Sequence, residues 1–220
     1  MRISANKNAT VPPSRSIGRL ARVIVDFVRG YLTFRHIGPT ITVYGSARFT
    51  PDNPYYQLGM RVGARLAEEG IAVMTGGGAG IMEAANRGAY EAGGQSYGCS
   101  IIIPHEQQPN RYVHKQMRFR YFFARKYMLA RFSMGFIALP GGYGTMDEIF
   151  EIATLVKTEK IRGYPIVLLD KSYWQPLLDY ISTTFIAEQT ISEEDLKCLY
   201  LTDSIDDAMR YIHETVERIS

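Results

Sequence analysis

Residues 135–151 read GFIALPGGYGTMDEIFE: a short apolar run, a turn holding three glycines, and then a helical pattern that opens with acidic residues. A brief apolar run closed by glycine is the pattern of a buried strand, and the turn after it feeds directly into a helix. The same order recurs upstream. ITVYGSA (41–47) leads to a helical stretch at 54–69, and IAVMTGG (71–77), extended by GAG, leads to one at 81–92. Two further β-rich runs, SYGCSIII (96–103) and PIVLLD (165–170), alternate with helical stretches at 120–132, 144–159, 173–188 and 204–219. Apolar strands joined by helices require a parallel sheet covered on both faces. The expected fold is therefore α/β: a Rossmann-like, doubly wound parallel sheet flanked by helices, with any ligand beyond the carboxyl ends of the strands.

The chain has 220 residues, 46% of them hydrophobic and 21% charged, which suits one sizeable core, expected over 37–220. Residues 1–16 are polar, carry Pro12 and Pro13 and lack periodicity, as expected of a flexible N-terminal arm. Residues 17–36 form an amphipathic helix: Ile17, Leu20, Val23, Ile24, Phe27, Val28, Tyr31 and Leu32 recur at steps of three and four, opposite Arg15, Arg19, Arg22 and Arg29. Such a stripe packs on its own domain or on a second copy, and a homo-oligomer, most simply a two-fold dimer, is expected. A net charge of +3 is too small to argue for nucleic acid. Cys99 and Cys198 stand far apart with no Cys-x-x-Cys spacing, so neither a metal site nor a disulfide is implied. The chain has no apolar run long enough to span a bilayer and no secretory leader pattern, so no membrane partner and a cytoplasmic location are expected.

Three strand ends carry small-residue turns: Gly45-Ser46-Ala47, Thr75 to Gly80 through Gly76, Gly77 and Gly78, and Pro140-Gly141-Gly142-Tyr143-Gly144-Thr145. Glycine lets the backbone approach a ligand, and the free amides at each helix start favour an anion, above all phosphate. Two phosphate ligands fit badly. The first strand ends in GSARF rather than G-x-G-x-x-G, against a dinucleotide, and the chain has no Gly-Lys-Ser/Thr, against a nucleoside triphosphate P-loop. Thr145 and Glu148 match the T-x-x-E of a capping box. Beside the glycine turn, Glu148 is also expected in the first helical turn, kept ionised by the helix dipole, with Glu151 on a similar side. Between Glu106 and Asp147 there is no acidic residue, while seven Arg and Lys residues from Arg111 to Arg131 supply a positive field. Interleaved with Tyr112, Phe119, Tyr121, Phe122 and Phe123, they allow a single-stranded nucleic-acid binder as an alternative, but aromatic residues at helical spacing are more often core.

TGGGAGIMEAANRGAYEAGG (75–94), Arg125-Lys126 and PGGYGTMDE (140–148) together resemble the cytokinin-activating Lonely Guy phosphoribohydrolases, a family also labelled possible lysine decarboxylases. The resemblance runs from about Ile41 to Ile186. GIMEAANRGA where plant members commonly have GLMG, and IPHEQQPNRY (103–112) after the third strand, look like the larger bacterial subgroup. The resemblance implies a nucleotide-binding catalytic domain that splits the N-glycosidic bond of a nucleoside 5′-monophosphate, AMP or an N6-modified cytokinin form, with no cofactor. Arg125 and Glu148 would be the catalytic pair. Gly141, Gly142, Tyr143, Gly144 and Thr145 would hold the phosphate, with Gly76, Gly77, Gly78 and Ser46 closing the site and Lys126, Glu151, Glu106 and Asn110 as further contacts. Two alternatives stay open: a nucleotide sensor without turnover, and a pyridoxal phosphate decarboxylase using Lys126, whose pKa a dense positive cluster would lower.

Overall fold

The computed structural model describes residues 13–102, 108–161 and 163–218. One seven-stranded sheet, wholly parallel, organises them in the order β4-β3-β2-β1-β5-β6-β7. Its centre is β1 (Thr40–Tyr44), flanked by β2 (Ala72–Thr75) and β5 (Gly135–Ala138). Every residue of these three strands is buried, which is why each reads as a mostly apolar run. From β1 the chain winds outward through β2, β3 (Ser96–Ile101) and β4 (Lys115–Phe119). It then returns to the other side for β5, β6 (Ile166–Leu169) and β7 (Leu199–Thr202). The reversal falls between β1 and β5, where Tyr44 pairs with Ala138, and opens a crevice at their carboxyl ends.

Side chains that alternate along each strand feed two cores. Ile41, Val43, Val73, Ile137 and Val167 face α2 (Pro54–Glu68), α3 (Ile81–Glu91) and α8 (Ile205–Glu217). Tyr44, Met74, Phe136 and Leu168 face α1 (Pro13–Phe34), α4 (Phe122–Arg131), α5 (Tyr143–Lys157) and α6 (Lys171–Tyr180). A π-helical turn at Ile181–Ile186 and the short α7 (Glu193–Leu196) complete the path to β7. Helix starts follow local chemistry: Asn53 Oδ1 accepts from the Tyr55 amide ahead of Pro54 at the first position of α2.

Two strands escape the sequence pattern, β4 and β7. Both are sheet edges. In KQMRF only Met117 and Phe119 are buried, and LYLT is half-buried at three of its four positions, so neither shows a continuous apolar run. The basic stretch 111–132 is consequently divided: Arg111 to His114 lead into β4, and the helix starts at Phe122 rather than at 120. The expected helix 173–188 starts at Lys171 and ends its α-helical part at Tyr180.

α1 starts at Pro13, four residues ahead of the expected boundary, while residues 1–12 of the expected arm lie outside the described residues. Its docking face differs from the apolar stripe. Asp26, Gly30 and Phe34 are buried, with Phe27 packed on Phe123 and Tyr127, whereas Ile17, Leu20, Ile24, Val28 and Leu32 stay exposed. Asp26 accepts from the Arg120 amide and guanidinium, each at 2.7 Å, which ties α1 to the turn that starts α4. A carboxylate with no exposure is tolerable only with such charge-assisted partners.

Candidate active site

At the β1/β5 switch point lies a cleft of about 970 Å³, rimmed by all three of the glycine or small-residue turns. The Ser46 amide donates to the Pro140 carbonyl at 3.1 Å, and the Ser46 carbonyl accepts from the Ile81 amide at 2.9 Å, so one residue stitches the three turns together. Gly141 owes its identity to this closeness: a Cβ there would sit 2.1 Å from Thr145 Oγ1 and 3.0 Å from the Ser46 nitrogen. Tyr173, which no motif singled out, lines the cleft and donates its hydroxyl to the Gly141 carbonyl at 2.8 Å.

Gly142 caps α5 with no side-chain hydrogen bond, so Thr145 is the third helical residue and not a capping residue. The capping-box reading is corrected accordingly. The Thr145 and Met146 amides donate to the Gly142 carbonyl, and no side chain caps the amides ahead of them, beside Gly142 and Gly144, where a Cβ would meet nothing within 4 Å. Such a helix start supplies amide donors and a positive dipole end to an anion.

Glu148 is the sixth residue of α5 and lies in its second turn, not the first. It is 5% exposed, and its carboxylate stands 3.5 Å from the Arg125 guanidinium. Burial raises its pKa, ahead of the lowering pull of Arg125 and then Lys126, while Glu151 and Asp147 raise it further. The expectation of a carboxylate held ionised by the helix dipole is therefore corrected: desolvation dominates and makes Glu148 a stronger base than an ordinary glutamate. Arg125 reaches it from α4 and is itself held by an Nε–H bond to the Cys99 carbonyl at 2.9 Å. A Cβ on Gly76 would meet the Arg125 Nη2 at 2.5 Å, so the second glycine turn leaves room for the guanidinium.

Ser46, Gly76, Gly77, Gly78, Arg125, Gly141, Gly142, Tyr143, Gly144, Thr145 and Glu148 all line the cleft, Tyr143 at 97% exposure on its lip. Lys126 and Glu151 do not. Next to Arg125 on the helix, Lys126 is rotated by about 100°, and its ammonium is paired with Asp147 at 2.9 Å and Glu151 at 2.7 Å. Burial alone would lower the pKa of Lys126, but hydrogen bonds to Glu151 and Asp147 outweigh it and raise the pKa, against the expected depression. Glu106 lies outside the described residues.

Asn110 lies outside the cleft lining and is tied to the second glycine turn. Its amide donates to the Gly77 carbonyl, and its Nδ2 to Gly78 O and Asn86 Oδ1, each at 3.0 Å. Asn86, fully buried, accepts also from Thr75 at 2.6 Å and donates to Ser96 and the Tyr97 carbonyl at 2.8 and 3.2 Å. A fully satisfied polar network thus fixes the second glycine turn. Of the aromatic residues in the basic stretch, Phe119 is core and Phe122 faces the cleft.

A doubly wound sheet, a helix start without a side-chain cap between glycine turns and a buried carboxylate beside a guanidinium define an α/β protein whose switch-point cleft presents amide donors and a paired acid and base. Comparison with known proteins gives the particular family. The family model described as "Possible lysine decarboxylase" matches residues 82–212, and the chain belongs to this family, the Lonely Guy family that its motifs resemble. The cytokinin riboside 5′-monophosphate phosphoribohydrolase LOG of Oryza sativa subsp. japonica is 33% identical over 144 residues, 61% of this chain. The chain spans 58% of that relative's length. The cytokinin riboside 5′-monophosphate phosphoribohydrolase of Rhodococcoides fascians is 31% identical over 154 residues, 64% of this chain and 73% of its own. The molybdenum cofactor binding protein of Rippkaea orientalis shares the fold, with a TM-score of 0.59 and 24% identity over 82% of this chain and 99% of its own.

Proposed function

We propose that this protein hydrolyses the N-glycosidic bond of a nucleoside 5′-monophosphate, AMP or an N6-modified cytokinin riboside 5′-monophosphate, to free base and ribose 5-phosphate. The observation that carries the proposal is the buried Glu148 carboxylate 3.5 Å from Arg125 inside a glycine-walled cleft. The 5′-phosphate takes the uncapped amides of α5 and the Thr145 hydroxyl. Arg125 offers a planar fork to phosphate or ribose oxygens. As the C1′–N bond breaks, its electron pair leaves with the base, which takes up a proton, and the ribosyl ring gains oxocarbenium character that the Glu148 carboxylate stabilises. Water then bonds to C1′ and yields its proton to Glu148, whose raised pKa makes it a competent acceptor. About 970 Å³ is the upper end of the usual range for ligand pockets, and Phe49, Met82, Ile101 and Phe122 give the cleft an apolar part suited to a base with an N6 substituent.

The decarboxylase reading finds no support in the site. A pyridoxal phosphate enzyme needs a lysine that becomes neutral and an acid for the pyridinium nitrogen. Lys126 is held as an ammonium by two carboxylates outside the cleft lining, so these residues do not fit that cofactor.

The test is incubation with AMP and with N6-isopentenyl-AMP, followed by chromatography for free base and ribose 5-phosphate. Base release from either supports the hydrolase. Binding without release from these or a wider monophosphate panel would turn the reading to a nucleotide sensor.

The same reading includes a homodimer in the cytoplasm. The exposed apolar line of α1, with Ile17 at 73%, supports the first, and the free cysteines Cys99 and Cys198 suit the second. Among the described residues no helix is long and apolar enough to cross a membrane. Sedimentation velocity is expected to return about twice the 24.9 kDa chain mass. A single monomeric species at micromolar concentration would rule the dimer out.

A further inference from the structure

Tyr44 closes β1 at the switch point and has no task in the reaction as proposed. Strand alternation sends Ile41 and Val43 to the face of α2, α3 and α8, and Tyr44 to the face of α4 and α5. Its ring stacks on Phe136 with centroids 6.0 Å apart and planes 4° from parallel, which fixes where the phenol points. The residue lines the cleft with Arg125 and Glu148 and is 5% exposed. Its hydroxyl is inaccessible and has no hydrogen-bond partner. A buried hydroxyl without an acceptor carries a desolvation cost that phenylalanine would avoid, so a tyrosine here needs a use for its O–H.

The groups facing it supply one. Glu148 and Glu151 of α5, Arg125 of α4 and Cys99 of β3 all act on the phenol, and burial first, then Glu148, hold it protonated and hence a donor. Glu148 in turn faces Arg125 and Lys126 from α4 and Asp147 and Glu151 from its own helix. Arg125 spends its Nε–H on Cys99, and Lys126 is engaged by Asp147 and Glu151. Once phosphate or ribose oxygens draw on the Arg125 fork, the carboxylate shares its guanidinium with the substrate. Tyr44 lines the same cleft and, among the described residues, keeps its O–H unspent.

We propose that Tyr44 is a positioning residue for Glu148: its O–H donates to the ionised Glu148 carboxylate when substrate engages Arg125, and so holds that carboxylate in place for the reaction. Its effect on turnover rests on the phosphoribohydrolase reading; the hydrogen bond does not.

Tyr44→Phe removes one oxygen and keeps the stacked ring. The variant is expected to melt at or above the parent temperature and to bind AMP within about twofold of it. Loss of a donor to the carboxylate raises the Glu148 pKa by about one unit, the equivalent of about a tenfold change in its ionisation equilibrium. The acid limb of kcat therefore moves up by about one pH unit, and activity recovers toward the parent value on the alkaline side. A kcat lowered equally at every pH, with the limb unmoved, means a packing role and overturns the proposal. A second measurement needs no turnover: carbon-13 NMR titration of the Glu148 carboxyl, assigned with Glu148→Gln, in AMP-bound parent and variant. A higher midpoint in Tyr44→Phe supports the bond, and coincident midpoints overturn it. A parent that binds AMP without releasing base overturns the hydrolase reading alone, and the midpoints still decide the role of Tyr44. Absence of AMP binding overturns both.

Discussion

Glu148→Gln is expected to lower base release by about 10²–10⁴-fold, the range spanned by a positioned acid–base group, while the fold is kept or strengthened. Glutamine preserves the volume of the side chain and removes its charge. In the parent, burial outweighs Arg125 and Lys126 and lifts the Glu148 pKa above the ordinary glutamate range. The folded chain then binds that proton more tightly than the unfolded chain. Stability contributed by the protonated form is lost as pH rises from the ordinary glutamate pKa through the folded one. The glutamine variant lacks this slope, so thermal melts at neutral pH should match or exceed the parent, with the difference closing in acid. The pH profile of the parent carries the same information, because activity that requires the carboxylate rises along an acid limb set by the elevated pKa. An unfolded variant whose residual folded fraction stays active would assign Glu148 a structural role and sink the proposed mechanism.

Arg125→Ala is expected to cost about 10²–10³-fold in turnover, as loss of one preorganised electrostatic donor does elsewhere, and also to weaken AMP binding. Two effects combine. The fork that meets phosphate or ribose oxygens disappears, and Glu148 loses the strongest of the groups that lower its pKa, so a smaller fraction is ionised at neutral pH. The acid limb should therefore move to higher pH, and the amplitude should fall across the whole profile. Arg125→Lys separates the effects: it keeps the charge but loses the planar fork and the Nε–H bond to Cys99. It should restore part of the limb position and little of the affinity. Calorimetric titration with AMP checks the binding component, and equal affinity in parent and Arg125→Ala would reject the assigned role.

Much of the scaffold was legible in the chain. The helices expected at 54–69 and 81–92 are Pro54–Glu68 and Ile81–Glu91, because their apolar spacing reports a face that must be buried whatever it packs on. The edge strands were not legible, since in β4 exposed Lys115 and Arg118 and half-buried Gln116 interrupt any apolar run. Nor was the mode of α1 docking. An apolar stripe suggested one face, while Asp26, Gly30 and Phe34 form another, chosen because Arg120 pairs with Asp26 and a side chain at position 30 would meet Phe119.

The sequence by itself determined the doubly wound fold, the three glycine or small-residue turns at one end of the sheet, and the two segments that carry Arg125 and Glu148. Central strands buried on both faces leave continuous apolar runs, and turns pressed against one another tolerate little but glycine or another small residue, so both features are written locally. Only the tertiary structure decided which side chain of each motif enters the cleft. Arg125 turns into the cleft and Lys126 away from its lining onto Asp147 and Glu151, Glu148 is desolvated, and Tyr44 lines the same cleft as that carboxylate. Neighbours on a helix differ by about 100° in direction, and which of them meets the cleft is settled only when α4 and α5 pack over the end of β1.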